Sequence, residues 1–120
     1  MTNQKISLIL INMGYVYLLF CVGIDGSEGY KIGITKNDPN KRVKQLQTGN
    51  DSKIQLLKQY QSENYLKVEK WLHRRYNSFK TESNNEWFAL QPEHVISFLK
   101  DCEEADNNIS FLLNNNPFYK

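Results

Sequence analysis

The alternation of apolar and polar residues divides the first third of the chain into two strands joined by a turn. Residues 15–22, YVYLLFCV, are aromatic, aliphatic and β-branched and lie between two glycines, which is typical of a strand. Residues 24–29, IDGSEG, have the composition of a turn, and residues 30–35, YKIGIT, alternate again. The pattern therefore predicts a β-hairpin.

The segment after the hairpin predicts a helix and a third strand. Residues 38–49, DPNKRVKQLQTG, open with an aspartate that can cap a helix and a proline suited to the first turn, and they end in a glycine suited to helix termination. Residues 53–61, KIQLLKQYQ, favour a strand, although the adjacent Leu56 and Leu57 interrupt its alternation.

Two further helices and a short strand are predicted in the second half. Ser62 is placed to cap the first of these helices, whose core-facing side carries residues at three- and four-residue spacing: Tyr65, Val68, Leu72 and Tyr76. Residues 85–90, NEWFAL, favour a short strand. Pro92 opens the other helix, which has a set of apolar residues on one side: Val95, Ile96, Leu99 and Cys102. The tail from Asp106 is either a last helix or a partner-binding segment.

These elements give the order β-β-α-β-α-β-α, an α+β fold with a small antiparallel or mixed sheet of three to four strands flanked by helices. At 120 residues the chain is expected to form one body. We expect residues 1–13 to form an N-terminal extension, residues 14–90 the main domain and residues 91–120 a C-terminal helical extension packed on the same body.

Alternation also assigns the two faces of the hairpin. Pairing the apolar sides of both strands buries five residues: Val16, Leu18, Phe20, Ile32 and Ile34. Tyr17 then shares the opposite face with Lys31 and Gly33. This register needs a connecting loop with an odd number of residues, so it excludes a two-residue Asp25-Gly26 turn. A glycine on the face of Tyr17 lets a ligand or another backbone approach closely.

Charge is distributed unevenly along the chain. The net charge is +2, but residues 31–80 carry twelve Lys and Arg against four acids, whereas residues 81–120 carry two bases and seven acids. A segregated basic stretch is typical of a surface that binds a polyanion, because phosphate contacts and counterion release supply much of nucleic-acid affinity. Lysine-rich helix faces that serve only solubility are the alternative.

Composition excludes several classes of protein. Hydrophobic residues make up 40% and charged residues 23%, near globular averages, and the apolar runs are too short to span a membrane. ISLILI near the N-terminus lacks a basic leading region and a small-residue cleavage site, so we do not predict a signal peptide. Cys21 and Cys102 lack disulfide or metal spacing and are expected to be free, buried thiols. We expect an intracellular protein, in the cytoplasm.

Five features stand in a fixed order along the chain: YVY ending at Tyr17, KIG at residues 31–33, Arg42, Glu69 and NEWF at residues 85–88. Together they resemble the signature of the GIY-YIG nuclease superfamily. They are most similar to its phage- and virus-associated branch, in which K-I-G replaces Y-I-G and an E-W-F follows. The resemblance covers residues 14–90 and implies a small metal-dependent nuclease domain.

The resemblance implies roles for individual residues. Tyr17 matches the tyrosine taken as the general base, directly or through water. Arg42 matches the helix arginine that grips phosphate oxygens through two donors, and Glu69 matches the glutamate that binds Mg²⁺ or Mn²⁺. His73, one turn beyond Glu69, is a candidate for contacting the substrate or moving a proton. Three residues are candidates for substrate binding: Gly33, Lys41 and Lys44.

Two positions depart from the commoner family pattern. Lys31 stands where a tyrosine is commoner, and three roles are open for it: it could favour the deprotonated form of Tyr17, contact phosphate or act as the base itself. Leu46 stands four residues after Arg42, where many members have histidine or tyrosine, so one candidate proton-transfer group is missing.

The first hypothesis is a Mg²⁺-dependent endonuclease that hydrolyses phosphodiester bonds of nucleic acid, DNA in the first instance. The alternative is a catalytically inactive nucleic-acid-binding module of the same fold. A third hypothesis is an assembly or regulatory protein whose C-terminal region contacts a partner or forms a homodimer through Phe111, Leu112 and Leu113. Taken singly, Tyr17 could be a half-buried sheet aromatic and Glu69 an exposed glutamate paired with His73 or Lys70.

Overall fold

The computed structural model describes residues 12–81 and 87–115. Three strands form one antiparallel sheet in the order β2-β1-β3: β1 (Gly14–Val22), β2 (Glu28–Thr35) and β3 (Lys53–Ser62). The predicted N-terminal extension lies outside the described residues except for its last two positions.

In the described part of the chain three helices accompany the sheet: α1 (Pro39–Gln47), α2 (Tyr65–Arg75) and α3 (Pro92–Asn115), with a 3₁₀ turn at Asn77–Phe79. The predicted α+β class is therefore confirmed. None of the helices in the described part of the chain is long and apolar enough to cross a membrane.

The hairpin has the register that its apolar pattern predicts. Tyr17 pairs with Gly33 and Leu19 with Lys31, so these four residues lie on one face of the sheet. The last pair joins Val22 to Glu28, which leaves a loop of residues 23–27 between the strands. A loop with an odd number of residues was required, and the two-residue turn is excluded as expected.

The break in alternation within β3 corresponds to a β-bulge. Leu18 pairs with Lys58 and Leu19 pairs with Leu56, so Leu57 is the additional residue in the pairing with β1. As a result Leu56 and Leu57, although adjacent in sequence, pack on opposite faces of the sheet. The irregular apolar pair therefore supplies a side chain to each of two hydrophobic clusters.

The sheet separates these two hydrophobic clusters. On one face, Val16, Leu18 and Ile32 pack against α2 and α3, where the core residues include Val68, Leu72, Tyr76, Phe98, Cys102 and Ala105. On the other face lie Tyr17, Leu19, Cys21 and Trp87, with Val43 and Leu46 of α1 beside them. The face of Tyr17 is thus partly covered by α1 rather than fully open. Phe20 is half-buried and contacts Tyr30, with ring centroids 5.4 Å apart.

The predicted fourth strand is absent among the described residues of that segment. Phe88 forms isolated bridges with Tyr30 and Lys80, and the backbone of residues 87–90 makes no regular strand. Tyr30 and Phe88 exchange both backbone hydrogen bonds, at 2.9 and 2.8 Å. Among residues 87–90, Phe88 is therefore the residue that extends the sheet beyond β2, where the sequence pattern predicted a strand of several residues.

The apolar face predicted for α3 is partly wrong. Ile96 and Leu99 are 80% and 39% exposed, whereas Phe98 and Ala105 are fully buried. The helix also runs without interruption to Asn115, so residues 106–115 are part of it, and residues 116–120 lie outside the described residues. Ser62 is likewise not the cap of α2: its hydroxyl accepts from the Asn64 N–H, at 2.9 Å, and Asn64 occupies the cap position.

Two acidic side chains of α3, one buried and one half-buried, fix the helix to the rest of the molecule. Asp106 accepts hydrogen bonds from the Tyr60 hydroxyl and the Asn64 amide, both at 2.8 Å. Asp101 accepts a hydrogen bond from the Tyr76 hydroxyl and lies 3.6 Å from Arg75. Part of the acidic C-terminal charge is therefore used within the fold. Both cysteines are free and buried, and burial raises the pKa of Cys102 to about 12.

The start of α1 is fixed by a cap that the sequence predicts. The Asp38 carboxylate accepts the Asn40 N–H, at 3.0 Å, and Pro39 begins the helix. Asp38→Ala should lower the free energy of unfolding by about 1 kcal/mol, because this N–H loses its partner. Urea unfolding would measure the change, and Asp38→Ser, which retains a cap, is the matched control. Equal stability of Asp38→Ala and wild type would show that the cap contributes nothing.

Candidate active site

A cleft of about 460 Å³ is bordered by the hairpin, α1 and α2. It brings together six of the eight residues selected from the sequence: Tyr17, Lys31, Gly33, Arg42, Glu69 and His73. The remaining two, Lys41 and Lys44, are exposed on α1 and do not line the cleft. Residues up to 56 positions apart in sequence therefore line the same cleft.

Tyr17 lies across the bare backbone of Gly33. A β-carbon added at Gly33 would be 2.5 Å from the Tyr17 Oη and 2.6 Å from Cζ, which is closer than real contacts allow. The glycine therefore leaves room for the tyrosine ring, so the close approach expected at this position is made by a side chain of the protein itself. Tyr17 is 5% exposed, and packing around the rest of its surface holds the ring in place at the cleft.

Lys31 is positioned by the tryptophan of the NEWF motif. Its Nζ lies 5.7 Å from the centroid of the Trp87 ring, a distance typical of a cation–π contact. Trp87 is 8% exposed and packs on Gly29 and against the cluster around Tyr17. The lysine and the tryptophan of two separate motifs thus form one structural unit beside the cleft, and Trp87 is a core residue.

Helix α1 presents Arg42 to the cleft. Arg42 and Leu46 are one helical turn apart, so both face the hairpin, and both line the cleft. Arg42 is exposed, whereas Leu46 is half-buried against the cluster that contains Tyr17 and Leu19. Leu46, which stands where a titratable side chain is missing, therefore forms an apolar part of the cleft wall.

Helix α2 carries Glu69 at the border between core and cleft. Val68 beside it is fully buried, and Glu69 itself is half-buried. Burial raises the pKa of Glu69 above its ordinary value of 4.5, and the nearby His73 and Lys70 only partly offset this. A carboxylate held in a partly desolvated position on a cleft wall is a stronger candidate ligand than an exposed helix glutamate.

His73 links α2 to the hairpin. Its Nε2 donates a hydrogen bond to the Ile32 carbonyl, at 3.1 Å, and its ring meets Phe88 edge to face with centroids 5.2 Å apart. Because a carbonyl can only accept, Nε2 carries the hydrogen and Nδ1 is the ring nitrogen left to accept in the neutral form. This bond ties α2, the helix that also carries Glu69 one turn away, to the KIG strand.

Two polar residues of the cleft were not predicted from the sequence. Asn50 follows α1, and Lys80 follows the 3₁₀ turn with its Nζ 6.0 Å from the Phe88 ring centroid. Neither belongs to a motif or to a regular spacing. Only the closure of the fold brings them to the cleft, so no sequence signal identified them.

Glu69 is the one carboxylate on the described wall of the cleft. Among residues 12–81 and 87–115, no group of three or more His, Cys, Asp or Glu side chains could hold a metal ion. Mg²⁺ in phosphate-processing sites is commonly bound through one or two carboxylates, with water and substrate phosphate completing the shell. A single half-buried carboxylate fits this kind of site and not an all-protein cage.

Comparison with known protein families places the chain in a phage-associated class of domains with a nuclease-like, DNA-binding theme. A family model, T5orf172 domain, matches residues 14–103, from the first residue of β1 into α3. The chain belongs to the T5orf172 domain family, and the match includes every residue of the cleft named above. Searches of curated proteins and of solved structures gave no significant match.

Proposed function

We propose that the protein is a Mg²⁺- or Mn²⁺-dependent endonuclease of GIY-YIG type that hydrolyses phosphodiester bonds of DNA. The observation that supports this proposal is the convergence of a phenol, an ammonium, a guanidinium and a carboxylate on one cleft: Tyr17, Lys31, Arg42 and Glu69. Phosphodiester hydrolysis needs a group that takes a proton from water and positive charge that stabilises the phosphate.

Arg42 holds the scissile phosphate in this proposal. A guanidinium offers two parallel donors to phosphate oxygens and stays charged at any working pH. Because α1 is fixed by its cap at Asp38, the guanidinium is presented from a rigid element.

Tyr17 takes the proton from the attacking water, directly or through a second water. Its ring is held between the bare backbone of Gly33 and the surrounding cluster, so the hydroxyl has a defined position. Lys31, on the same sheet face, is placed to balance negative charge on the phenolate or on the phosphate. The contact with Trp87 limits how far the ammonium can move.

Glu69 would hold the metal ion, which when bound supplies positive charge to the phosphate and to the leaving oxygen. His73 keeps Glu69 in register with β2 through its bond to the Ile32 carbonyl. With Nε2 committed to that bond, Nδ1 is the atom of His73 through which a proton could pass.

The test of this function is cleavage of labelled single- and double-stranded DNA by the purified protein. We expect shorter products in Mg²⁺ or Mn²⁺, none in EDTA, and recovery when metal is added back in excess. Absence of products with both metals and both substrate forms would contradict the proposal.

Arg42→Lys should lower kcat/KM by about tenfold or more, because a hydrogen bond to a charged group contributes about 1.5–3 kcal/mol and an ammonium cannot make the bidentate contact. Steady-state cleavage kinetics would measure the loss. Gln45→Ala, an exposed position on the same helix that does not line the cleft, is the control. A rate for Arg42→Lys equal to wild type would remove Arg42 from the phosphate site.

A second candidate function is binding of nucleic acid without turnover. The observation that favours it is Leu46, an apolar side chain on the cleft wall where many members of the superfamily have a group able to transfer protons. A salt-dependent shift of DNA in a gel, with no product in Mg²⁺ or Mn²⁺, would support this function over hydrolysis.

A further inference from the structure

A second cavity, of about 330 Å³, lies where α2 meets α3. We call it the α2–α3 groove, and its lining comes from both helices: Lys67, Lys70, Trp71 and Arg74 of α2, and Asn108, Ile109, Leu112 and Leu113 of α3. Its volume is at the lower end of the range for small-ligand sites, so it suits one flat ring system better than a folded partner.

The groove combines an apolar floor with a basic rim. Trp71, Ile109, Leu112 and Leu113 supply the apolar surface, and three cations from α2 surround it: Lys67, Lys70 and Arg74. None of these three forms a salt bridge with another residue in the described ranges. The neighbouring Arg75, in contrast, lies 3.6 Å from Asp101 and 3.9 Å from Glu104, and its guanidinium lies over the Trp71 ring, 5.2 Å from the centroid. Lys67 and Arg74 therefore present positive charge that no salt bridge in the described ranges neutralises, whereas Lys70 also interacts with the nearby Glu69.

The groove is continuous with the cleft across the surface of α2. A shallow depression between them is lined by four residues: Glu69, Lys70, His73 and Arg74. It shares Glu69 and His73 with the cleft, and it shares Lys70 and Arg74 with the groove. A strand of nucleic acid that leaves the cleft therefore meets positive charge first and an apolar, aromatic cavity next.

We propose that the α2–α3 groove binds an unpaired nucleotide of the DNA substrate, one base against Trp71 and its phosphates along Lys67, Lys70 and Arg74. This inference rests on the proposed function, whose substrate it narrows to DNA with a single-stranded segment beside the cleavage site. Cations that follow a backbone, together with an aromatic surface for a base, are the usual elements of single-strand binding. A duplex keeps its bases stacked inside, so it exposes no base face that could pack on the apolar floor of the groove.

Binding in EDTA tests the inference without requiring cleavage. Two fluorescent probes are compared by anisotropy: a blunt DNA duplex, and the same duplex with a single-stranded extension. For the extended probe, Trp71→Leu should weaken affinity about tenfold because base stacking is lost, whereas Trp71→Phe should stay close to wild type. Lys67→Glu combined with Arg74→Glu should weaken the affinity for the extended probe at least as much and should reduce the salt dependence of that affinity.

Surface variants keep the test valid if Trp71→Leu folds poorly, because Lys67 and Arg74 are exposed. Lys100→Glu is the matched control, since it is an exposed charge on α3 outside the groove, and it should leave affinity for the extended probe unchanged. For the blunt duplex, we expect less than threefold change with any of these variants.

Three results would overturn the inference. The first is wild-type affinity of the groove variants for the extended probe, or an equal loss with Lys100→Glu. The second is binding of an acidic peptide that Trp71→Leu abolishes while DNA affinity is unchanged, which would assign the groove to a protein partner. The third is a concentration-dependent dimer that the groove variants dissociate, which would assign it to a second copy. A wild-type protein that prefers the extended probe but never cleaves would contradict the nuclease proposal and leave the groove assignment intact.

Discussion

Glu69→Gln is expected to abolish metal-dependent DNA cleavage and, in the same protein, to raise the stability of the fold at neutral pH. The loss of activity should exceed about 100-fold, because a metal site contributes several kcal/mol of charge stabilisation and Glu69 is its one carboxylate on the described cleft wall. A residue that served only structure would not combine a loss of activity with a gain of stability.

The sign of the stability change follows from the direction of the pKa shift. Burial raises the pKa of Glu69 in the folded protein. A group with a raised pKa favours folding below its unfolded pKa, and that contribution is lost as pH rises through the folded pKa. At neutral pH the ionised carboxylate is therefore held at a cost to stability, which glutamine removes. The gain from Glu69→Gln should be present at pH 7, should shrink as pH falls through the raised folded pKa of Glu69, and should be absent below the ordinary value of 4.5.

Urea unfolding at several pH values and cleavage assays on the same preparations would measure both effects. Glu63→Gln is the matched control, because Glu63 is exposed and lies outside the cleft. We expect this variant to cleave like wild type and to show no gain in stability at neutral pH. Wild-type cleavage by Glu69→Gln would remove the metal assignment, and a loss of stability at pH 7 would contradict the account of its burial.

Gly33→Ala is expected to destabilise the protein by about 1–3 kcal/mol and to displace Tyr17 from the cleft, with loss of most activity. The new β-carbon would meet the Tyr17 ring at 2.5–2.9 Å, and the ring is too deeply buried to move aside freely. Strand propensity alone predicts the opposite, since alanine is less flexible than glycine.

A double-mutant cycle tests whether Gly33 is needed to make room for the Tyr17 ring or for the backbone itself. In a Tyr17→Ala background the β-carbon of residue 33 has space, so the cost of Gly33→Ala should fall by at least half. Unfolding free energies of the four proteins would give the coupling. Additive costs would show that the glycine serves the backbone and not the tyrosine.

The register of the hairpin could be predicted because alternation leaves only one way to bury its apolar residues. Placing Tyr17, Lys31 and Gly33 on one face followed from that register, and their meeting with Arg42 and Glu69 followed from the resemblance. The sequence did not show that the Tyr17 ring itself occupies the space over Gly33. That contact depends on side-chain packing across two strands, which no linear spacing encodes.

The less successful predictions share a physical cause. Residues 87–90 have strand-like composition, but only Phe88 pairs with the sheet edge, since tertiary contacts decide pairing at an edge. Along α3, the helical period was correct but the buried face was only partly so, because Cys102 is buried as expected whereas Asp101 and Ala105 face the core and Ile96 and Leu99 are exposed. Buried polar partners such as Tyr76 overturn an assignment based on hydrophobicity alone.

The most direct test of the shared cleft is a single-turnover experiment in Mg²⁺ that follows binding and cleavage of one labelled DNA for wild type and Glu69→Gln side by side. We predict that both proteins bind the DNA with affinities within a few-fold of each other and that only wild type converts it to product. Equal product formation by the two proteins, or bound DNA that wild type leaves intact, would contradict hydrolysis at this cleft.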